Sequence, residues 1–567
     1  MADTRPAAPP RRGGRSWAPS QGFLAKAALI TAVLTAVGSL LGLVRDQILA
    51  HLFGAGPDTD AFLVAWTVPE FASTLLIEDA MALILVPAFS RALAQRHAGG
   101  AVDPVRTLVR STLPRLALVT GAVAALFAAG APWVVRALAP GLAEPGLAVD
   151  CTRLTATCVF TFALAGYCSA ALRAHGRFLE PAAIYTAYNT GIIATVVLLF
   201  RAWGVRAAAA GVAVGGALMV VIQAPSLVRK LTRRHAGDPG TGGDGHRVVL
   251  ALVAPVIAFA AGRQSQVLVE RFLAAPLPSG AISHLNYAQK VAQMPMILSL
   301  ILCTVSFPVV ARALAAGDTA LARRRVERDL LLAAVVVLAG AAAVIAGAPA
   351  IVDVLFQRGA FDRSDTAATA AVMRVYALGL LGQTLVGALV RCYFSAARPL
   401  WYPAAVMLTG LAATALTGAL WVGPWGVRGI AAANALGITL TAALLLAGIR
   451  GQSIPLRTGV VCAGLARLGL AAAGACLVAH RCSAAVGRPL LAAVTACAVV
   501  AVVFPLLAWA VRAPEVPSLI RSAARRLAHV RCHGSRPLPD RDATDPSSAA
   551  ETTPVGGHVP RRRRPHG

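Results

Sequence analysis

Apolar residues run in stretches close to bilayer-spanning length along most of this chain, broken by short segments carrying Gly, Pro and basic residues. A transmembrane helix needs roughly 20 such residues. The pattern predicts spans at about 23–44, 61–90, 112–138, 151–173, 181–203, 206–228, 248–272, 283–311, 330–356, 367–394, 402–423, 428–449, 458–480 and 489–511, about fourteen helices in all. Residues 1–22 are polar, Pro-rich and basic, and from about residue 513 the chain turns to Pro, Ser, Asp and Arg. Both tails lack the apolar surface that would repay ordering and are expected to be disordered. The first apolar run shows no small-residue cleavage site, so the first helix is expected to be retained.

Composition agrees with this pattern. Of 567 residues, 57% are hydrophobic and 14% charged, against roughly 25% charged in an ordinary soluble domain. The chain reads as an all-α polytopic membrane protein. Its net charge of +27 sits in the tails and in alternate loops rather than on an amphipathic module, so membrane topology accounts for it and no nucleic-acid partner is expected. Basic residues gather at Arg11, Arg12 and Arg15; at Arg91, Arg96, Arg106 and Arg110; at Arg173 and Arg177; at Arg229, Lys230, Arg233 and Arg234; at Arg323, Arg324, Arg325 and Arg328; and after Arg512. An even number of spans with both termini cytoplasmic satisfies this alternation, and the basic loops and tails should attract anionic lipid.

A faint internal repeat divides the chain. Pro87-Ala-Phe-Ser-Arg91-Ala-Leu-Ala closes the second span, and Pro308-Val-Val-Ala-Arg312-Ala-Leu-Ala closes the eighth. A displacement of six helices is even, which predicts two parallel six-helix lobes with a site between them. The expected boundaries are an N-terminal lobe at 23–229, a basic linker at 230–247, a C-terminal lobe at 248–450, and two further helices within 451–512.

Charge at membrane depth is the candidate chemistry. Arg45, Asp46, Asp60, Glu70, Glu78 and Asp79 sit in or beside the first two spans, Arg263 and Glu270 in the seventh, Lys290 in the eighth, and Arg374 and Arg391 near the tenth. Ionisable residues there face a protein interior or a watered cavity. The bland reading is snorkelling or structural pairing. The functional reading is a cationic lining for an anionic headgroup, with Arg45, Asp60, Glu70, Arg263 and Lys290 as the cavity candidates. Gly54, Gly56, Pro57, Pro69 and Pro295 interrupt the same helices and are candidate hinge or gate positions. No HExxH, GxSxG or phosphate-binding glycine loop appears, so no enzyme, cofactor or metal is expected. Cys151, Cys158 and Cys168 read as small packing residues.

Arg45-Asp46, Ala50, Phe53-Gly54-Ala55-Gly56-Pro57, Thr59-Asp60-Ala61-Phe62 and Ala65 resemble the signature of the MurJ/MviN lipid II flippases, a branch of the multidrug/oligosaccharidyl-lipid/polysaccharide exporter superfamily. Ser279-Gly280 with Ser283 and Leu285-Asn286-Tyr287-Ala288, then Leu355-Phe356 with Arg358-Gly359-Ala360-Phe361 and Asp365-Thr366, then Tyr376-Ala377-Leu378-Gly379, agree in order. The resemblance implies fourteen helices in two lobes around a cationic cavity. It implies a bacterial plasma-membrane flippase that carries an undecaprenyl-pyrophosphate-linked sugar-peptide to the outer leaflet by alternating access, near cell-wall synthesis proteins.

The chain departs from that pattern in the first, second and eighth spans. Family members place cavity-facing arginines where this sequence has Ser39, Ser73 and Thr74, an Asn where it has Glu70, and an Arg where it has Lys290. Arg45 is kept, and Arg263 is an added cation. The rewritten charges raise two further readings: an exporter of another lipid-linked or amphipathic anion, or a transport-inactive scaffold for cell-wall synthesis.

Overall fold

In the computed structural model, the described residues are 21–98, 103–232, 246–300, 310, 312–313, 316–394, 400–452 and 454–512. Among them the chain is helical and carries no strand. The expected tails, Pro308 and most of the linker lie outside these residues, as do the side chains of Glu78 and Asp79.

The first half comprises α1 (Gln21–Phe53), α2 (Pro57–Ala72), α3 (Met81–Ala98), α4 (Pro104–Ala129), the short α5 (Ala131–Leu138), α6 (Pro145–Ala174), α7 (Leu179–Trp203) and α8 (Arg206–Thr232). A π-helical segment, Ser73–Ala80, joins α2 to α3 without a break. The second half comprises α9 (His246–Ala274), α10 (Ala281–Ala292), α11 (Thr319–Phe356), α12 (Arg363–Tyr376), α13 (Leu380–Phe394), α14 (Tyr402–Trp425) and α15 (Val427–Gln452), followed by α16 (Thr458–Ala484) and α17 (Pro489–Ala510). Twelve of the described helical stretches are long and apolar enough to cross a membrane. With α9, and α10 with its continuation, at the seventh and eighth positions, the all-α architecture has about fourteen spans.

The two halves repeat one set of pairings. α1 packs on α7, α2 on α6, α4 on α6, α6 on α8 and α7 on α8; in the same order α9 packs on α14, α10 on α12, α11 on α12, α13 on α15 and α14 on α15. α16 and α17 pair with each other and lie on α11. Helices in lipid gain little from the hydrophobic effect against one another, so small residues and polar contacts bring them close. At the α14–α15 crossing, a Cβ on Gly410 or on Gly437 would fall 1.9 Å from the hydroxyl oxygen of Thr441 or Thr414 respectively. Only glycine permits that approach. The large apolar side chains left exposed, among them Leu118, Leu126, Leu198, Leu420, Leu470 and Leu477, suit a lipid-facing surface.

Several helices run past their sequence-read ends. α11 begins at Thr319 instead of 330 because Asp318 caps it through the Leu321 amide, and its basic first turns continue the rod beyond the apolar core. α8 likewise reaches Thr232, past the expected boundary at 229. Cys151, Cys158 and Cys168 are buried in α6, with the Cys158 thiol donating to the Val212 carbonyl at 3.4 Å.

Candidate functional site

Elements of both lobes enclose a cavity of about 430 Å³ whose wall includes Ser39, Arg45, Trp66, Pro69, Glu70, Ser73, Thr74, Tyr188, Asn189 and Lys290. Arg45 and Asp46 are neighbours on α1. The Arg45 side chain folds back, so that Nε and Nη2 donate to Asp46 Oδ1 at 3.0 and 2.8 Å. Its Nη1 donates to Asn189 Oδ1 at 2.8 Å, and Asn189 Nδ2 donates in turn to the Gly38 carbonyl at 2.9 Å. Lys290 reaches the other oxygen of the same carboxylate, with Nζ 3.4 Å from Asp46 Oδ2. The Trp66 ring lies under both cations: its centroid is 4.3 Å from the Arg45 guanidinium carbon and 4.6 Å from Lys290 Nζ. Arg45 is therefore braced on three sides, whereas the Lys290 side chain keeps 25% of its exposure. A cluster of two cations and one carboxylate keeps one positive charge in a low-dielectric setting, where charge-assisted hydrogen bonds to phosphate are strong.

A second cavity of about 250 Å³ shares Glu70 with the first and is walled by residues of α9, α10, α12, α13 and α15. Arg263 is an exposed residue on its wall and is not part of the Arg45–Lys290 cluster. Among the described residues no hydrogen bond or salt bridge holds the Glu70 carboxylate, which stands at the border of the two cavities. Thr74 stands near that border and accepts a hydrogen bond from Gln264 Nε2 at 3.0 Å, linking the lobes. Pro69 lines the first cavity one turn before the π-helical segment that displays Ser73 and Thr74, a helix defect of the sort often found at functional sites. Glu270 is buried and accepts from Asn434 Nδ2, and Arg271 beside it donates to the Ile282 carbonyl at 3.1 Å and to Asn286 Oδ1 at 3.3 Å. These bonds brace α9 against α10 and α15.

Asp60 is placed elsewhere. Its carboxylate accepts from the Gly280 amide at 2.7 Å, and from the Ser283 amide and hydroxyl at 2.7 and 2.5 Å. It thus caps the start of α10, supplying acceptors for otherwise unpaired donors of a helix N-terminus. The same end of the bundle is closed by Ala360 N donating to the His51 carbonyl at 2.9 Å, and by Gln47 Nε2 donating to the Leu355 carbonyl at 3.1 Å. The rings of Tyr287, Phe356 and Phe361 pack behind them, tilted or edge-on, with centroids 5.0 to 5.8 Å apart. Gly54 belongs to this seal: its φ is +65° and it lies against Ala360. Pro57 opens α2 at the first turn, where its missing N–H costs nothing, and Gly56 is its N-cap. The α10 helix breaks at Gln293, before Pro295, and the Pro295 ring packs against Gly340 of α11.

Of the five residues expected to line one cavity, the structure brings Arg45, Glu70 and Lys290 together, sets Arg263 on the adjoining cavity, and places Asp60 at the far end of the bundle. Sequence reasoning missed Trp66 and Asn189. An apolar aromatic and a lone amide in helices give no signal until their partners are known.

A family model described as "Lipid II flippase MurJ" matches residues 49–508. The chain is 27% identical over 447 residues to the lipid II flippase MurJ of Burkholderia cenocepacia, covering 76% of this chain and 84% of that protein. It is 26% identical over 479 residues to the probable lipid II flippase MurJ of Vibrio cholerae, covering 79% and 87%. Its fold matches a solved structure titled "Lipid II flippase MurJ, inward closed conformation" with a TM-score of 0.71 at 17% identity, over 87% of this chain and all of that one. An inward-facing multidrug resistance MATE transporter of the MOP superfamily gives 0.61 at 12% identity. With the family model covering most of its length, the chain belongs to the lipid II flippase MurJ family.

Proposed function

We propose that this multi-pass protein of the bacterial inner membrane carries lipid II from the inner to the outer leaflet by alternating access. The observation that carries the reading is the Lys290–Asp46–Arg45 cluster on Trp66, two cations to one carboxylate, open to a cavity between two lobes that Glu70 also borders. A pyrophosphate crossing hydrocarbon needs such partners, because an unpaired buried charge is costly. Lys290 offers a compact cation to the phosphate, and Arg45 is held in place by its bonds to Asp46 and Asn189. The lipid tail stays in the bilayer, no covalent step is required, and the lobes rock about the cavity.

Orientation follows from charge. Arg91, Arg96, Arg106, Arg173, Arg229 and Arg325 lie at helix ends opposite the seal formed by Gly54, Asp60 and Ala360. The positive-inside bias makes the sealed end the outer one and both termini cytoplasmic. The N-terminal lobe comprises α1 to α8 and the C-terminal lobe α9 to α15, with α16 and α17 as an appendage.

Depleting a host of its own flippase and expressing this chain tests the reading. Growth and surface-exposed lipid II should return, Arg45→Ala should abolish rescue, and Lys290→Ala should weaken it. Membrane expression without rescue would overturn it. The neutral Ser39, Ser73 and Thr74 on the cavity wall favour a second reading, another lipid-linked anion, which the same assay with that lipid would detect.

A further inference from the structure

Pro349 interrupts α11 about two turns before its end. A proline has no N–H, so the Ile345 carbonyl, one turn earlier, loses its helical donor. Arg374 of α12 supplies one in its place, with Nε 3.3 Å from that oxygen. The next carbonyl, that of Ala346, accepts from His480 Nδ1 at 3.4 Å and from the Ser483 hydroxyl at 3.5 Å, both on α16. Beside this break lies a cavity of about 290 Å³ whose wall includes Asp353, Thr366, Arg374, His480 and Ser483. It shares no lining residue with the two cavities between the lobes.

The cavity offers one cation and one anion that do not pair with each other. Arg374 spends Nε on Ile345, and among the described residues no hydrogen bond or salt bridge holds its two Nη groups or the Asp353 carboxylate. Ionisable groups at membrane depth are costly without partners, so the two together point to a ligand of opposite charges. Asp353 lies about two turns of α11 nearer the sealed end than Ile345, where Arg374 is bound. A ligand entering from the sealed end therefore meets the carboxylate first and the guanidinium beneath it. Leu477 of α16 and Leu490 and Leu491 of α17 stand exposed nearby.

We propose that this cavity binds the headgroup of a phospholipid bearing a phosphodiester and a primary ammonium, with its acyl chains along α16 and α17. In such a lipid the ammonium sits toward water and the phosphate toward the hydrocarbon, the order in which Asp353 and Arg374 are set. The guanidinium fork suits two phosphate oxygens. The ammonium has N–H donors for the carboxylate, which a quaternary amine lacks. The volume lies just under the roughly 300–1,000 Å³ of ordinary ligand pockets and suits a small headgroup whose chains stay outside. A lipid held there bridges α11 and α12 to the appended α16–α17 pair, whatever the central cavity carries. The orientation argued above makes it a lipid of the outer leaflet.

The test uses the purified full chain in detergent, titrated with phosphatidylethanolamine, phosphatidylcholine or phosphatidylglycerol of matched chains. Native mass spectrometry reads affinity, and hydrogen exchange locates the site. The ethanolamine lipid should bind about tenfold more tightly than either of the others, the worth of one charge-assisted hydrogen bond. It should also slow exchange in peptides covering 480–490. Asp353→Asn should bring the ethanolamine lipid down to the level of the choline lipid, and Arg374→Gln should weaken all three about tenfold. Asp353→Asn breaks no bond within the protein, so a folding defect in the arginine variant does not decide the matter. Equal affinity for the three lipids in the wild type, tighter binding of phosphatidylglycerol, or full preference retained in Asp353→Asn overturns the proposal. Equal protection of 480–490 by free phosphoethanolamine at the same concentration overturns it too, since the ligand would then be a soluble one.

Discussion

Replacing Gly54 with alanine should open the sealed end. Gly54 has φ +65°, and a Cβ there would sit 2.5 Å from the Ala360 carbonyl oxygen and 3.1 Å from its carbonyl carbon. Two costs follow. The left-handed backbone costs an alanine roughly 1–2 kcal/mol wherever the turn keeps its shape, so it lowers the stability of every conformer and does not bias the transport cycle. The contact with Ala360 exists only while the lobes are closed at this end. Atoms that close must separate by several tenths of an ångström, against a rigid backbone, and overpacking of this kind costs roughly 1–3 kcal/mol. At a factor of ten for each 1.4 kcal/mol, the sealed population falls about 5- to 150-fold relative to the open one.

Hydrogen exchange reads that population directly, because the seal protects identifiable amides. The Ala360 amide donates to His51, and the Gly280 and Ser283 amides donate to Asp60. Peptides covering 278–285 and 357–362 should exchange faster in Gly54→Ala by about the same factor, while peptides in α16 and α17 keep their rates. Gly56→Ala is the control: φ there is −144° and nothing lies within 4 Å of the added carbon, so exchange should not change. A folded Gly54→Ala protein with wild-type protection at both peptides would refute the claim that this contact closes the outer end.

Trp66→Leu removes the ring beneath Arg45 and Lys290; with Arg45 still held by Asp46 and Asn189, the lost Lys290 contact, worth about 0.5–2 kcal/mol, should lower affinity for undecaprenyl pyrophosphate about two- to thirtyfold, with Trp66→Phe retaining most of it, and unchanged binding in the leucine variant would remove the ring from the mechanism. Asp60→Ala leaves the Gly280 and Ser283 amides unpaired, at roughly 1–3 kcal/mol each, so the melting temperature should drop while the pH profile of transport holds; a shifted profile at an unchanged melting temperature would contradict the capping role. Asp362, just outside its span, is held below the ordinary carboxylate range by the Asp365 amide and then by the Ser364 hydroxyl. Its capping of α12 is complete at neutral pH and is lost only as pH falls through that lowered value, so Asp362→Ala should speed exchange in the first turn of α12 equally from pH 6 to pH 8, roughly two units above the ordinary carboxylate range; a difference that varies across this range would contradict the assignment.

The architecture was legible because span length and loop charge are additive properties that a sequence displays openly. The candidate site was legible only in its charges. Arg45, Glu70 and Lys290 announce themselves by their cost in lipid, but that cost is met equally by a structural partner, and nothing local distinguishes the two. Asp60 shows the difficulty: its neighbours Gly280 and Ser283 are more than two hundred residues away, and only the fold reveals that its charge is spent on a helix start. Three of the stretches that carry the family resemblance behave alike. Phe53 to Phe62, Ser279 to Ala288 and Leu355 to Thr366 meet at the seal, not at the cavity. A seal is a contact among three loops, and a change in one loop requires a matching change in another. A cavity wall tolerates exchange of one side chain for another, since its partner is a mobile ligand in a watered space. Ser39, Ser73 and Thr74 on the cavity wall are therefore where this chain can differ from its relatives in substrate preference while keeping their closing motion.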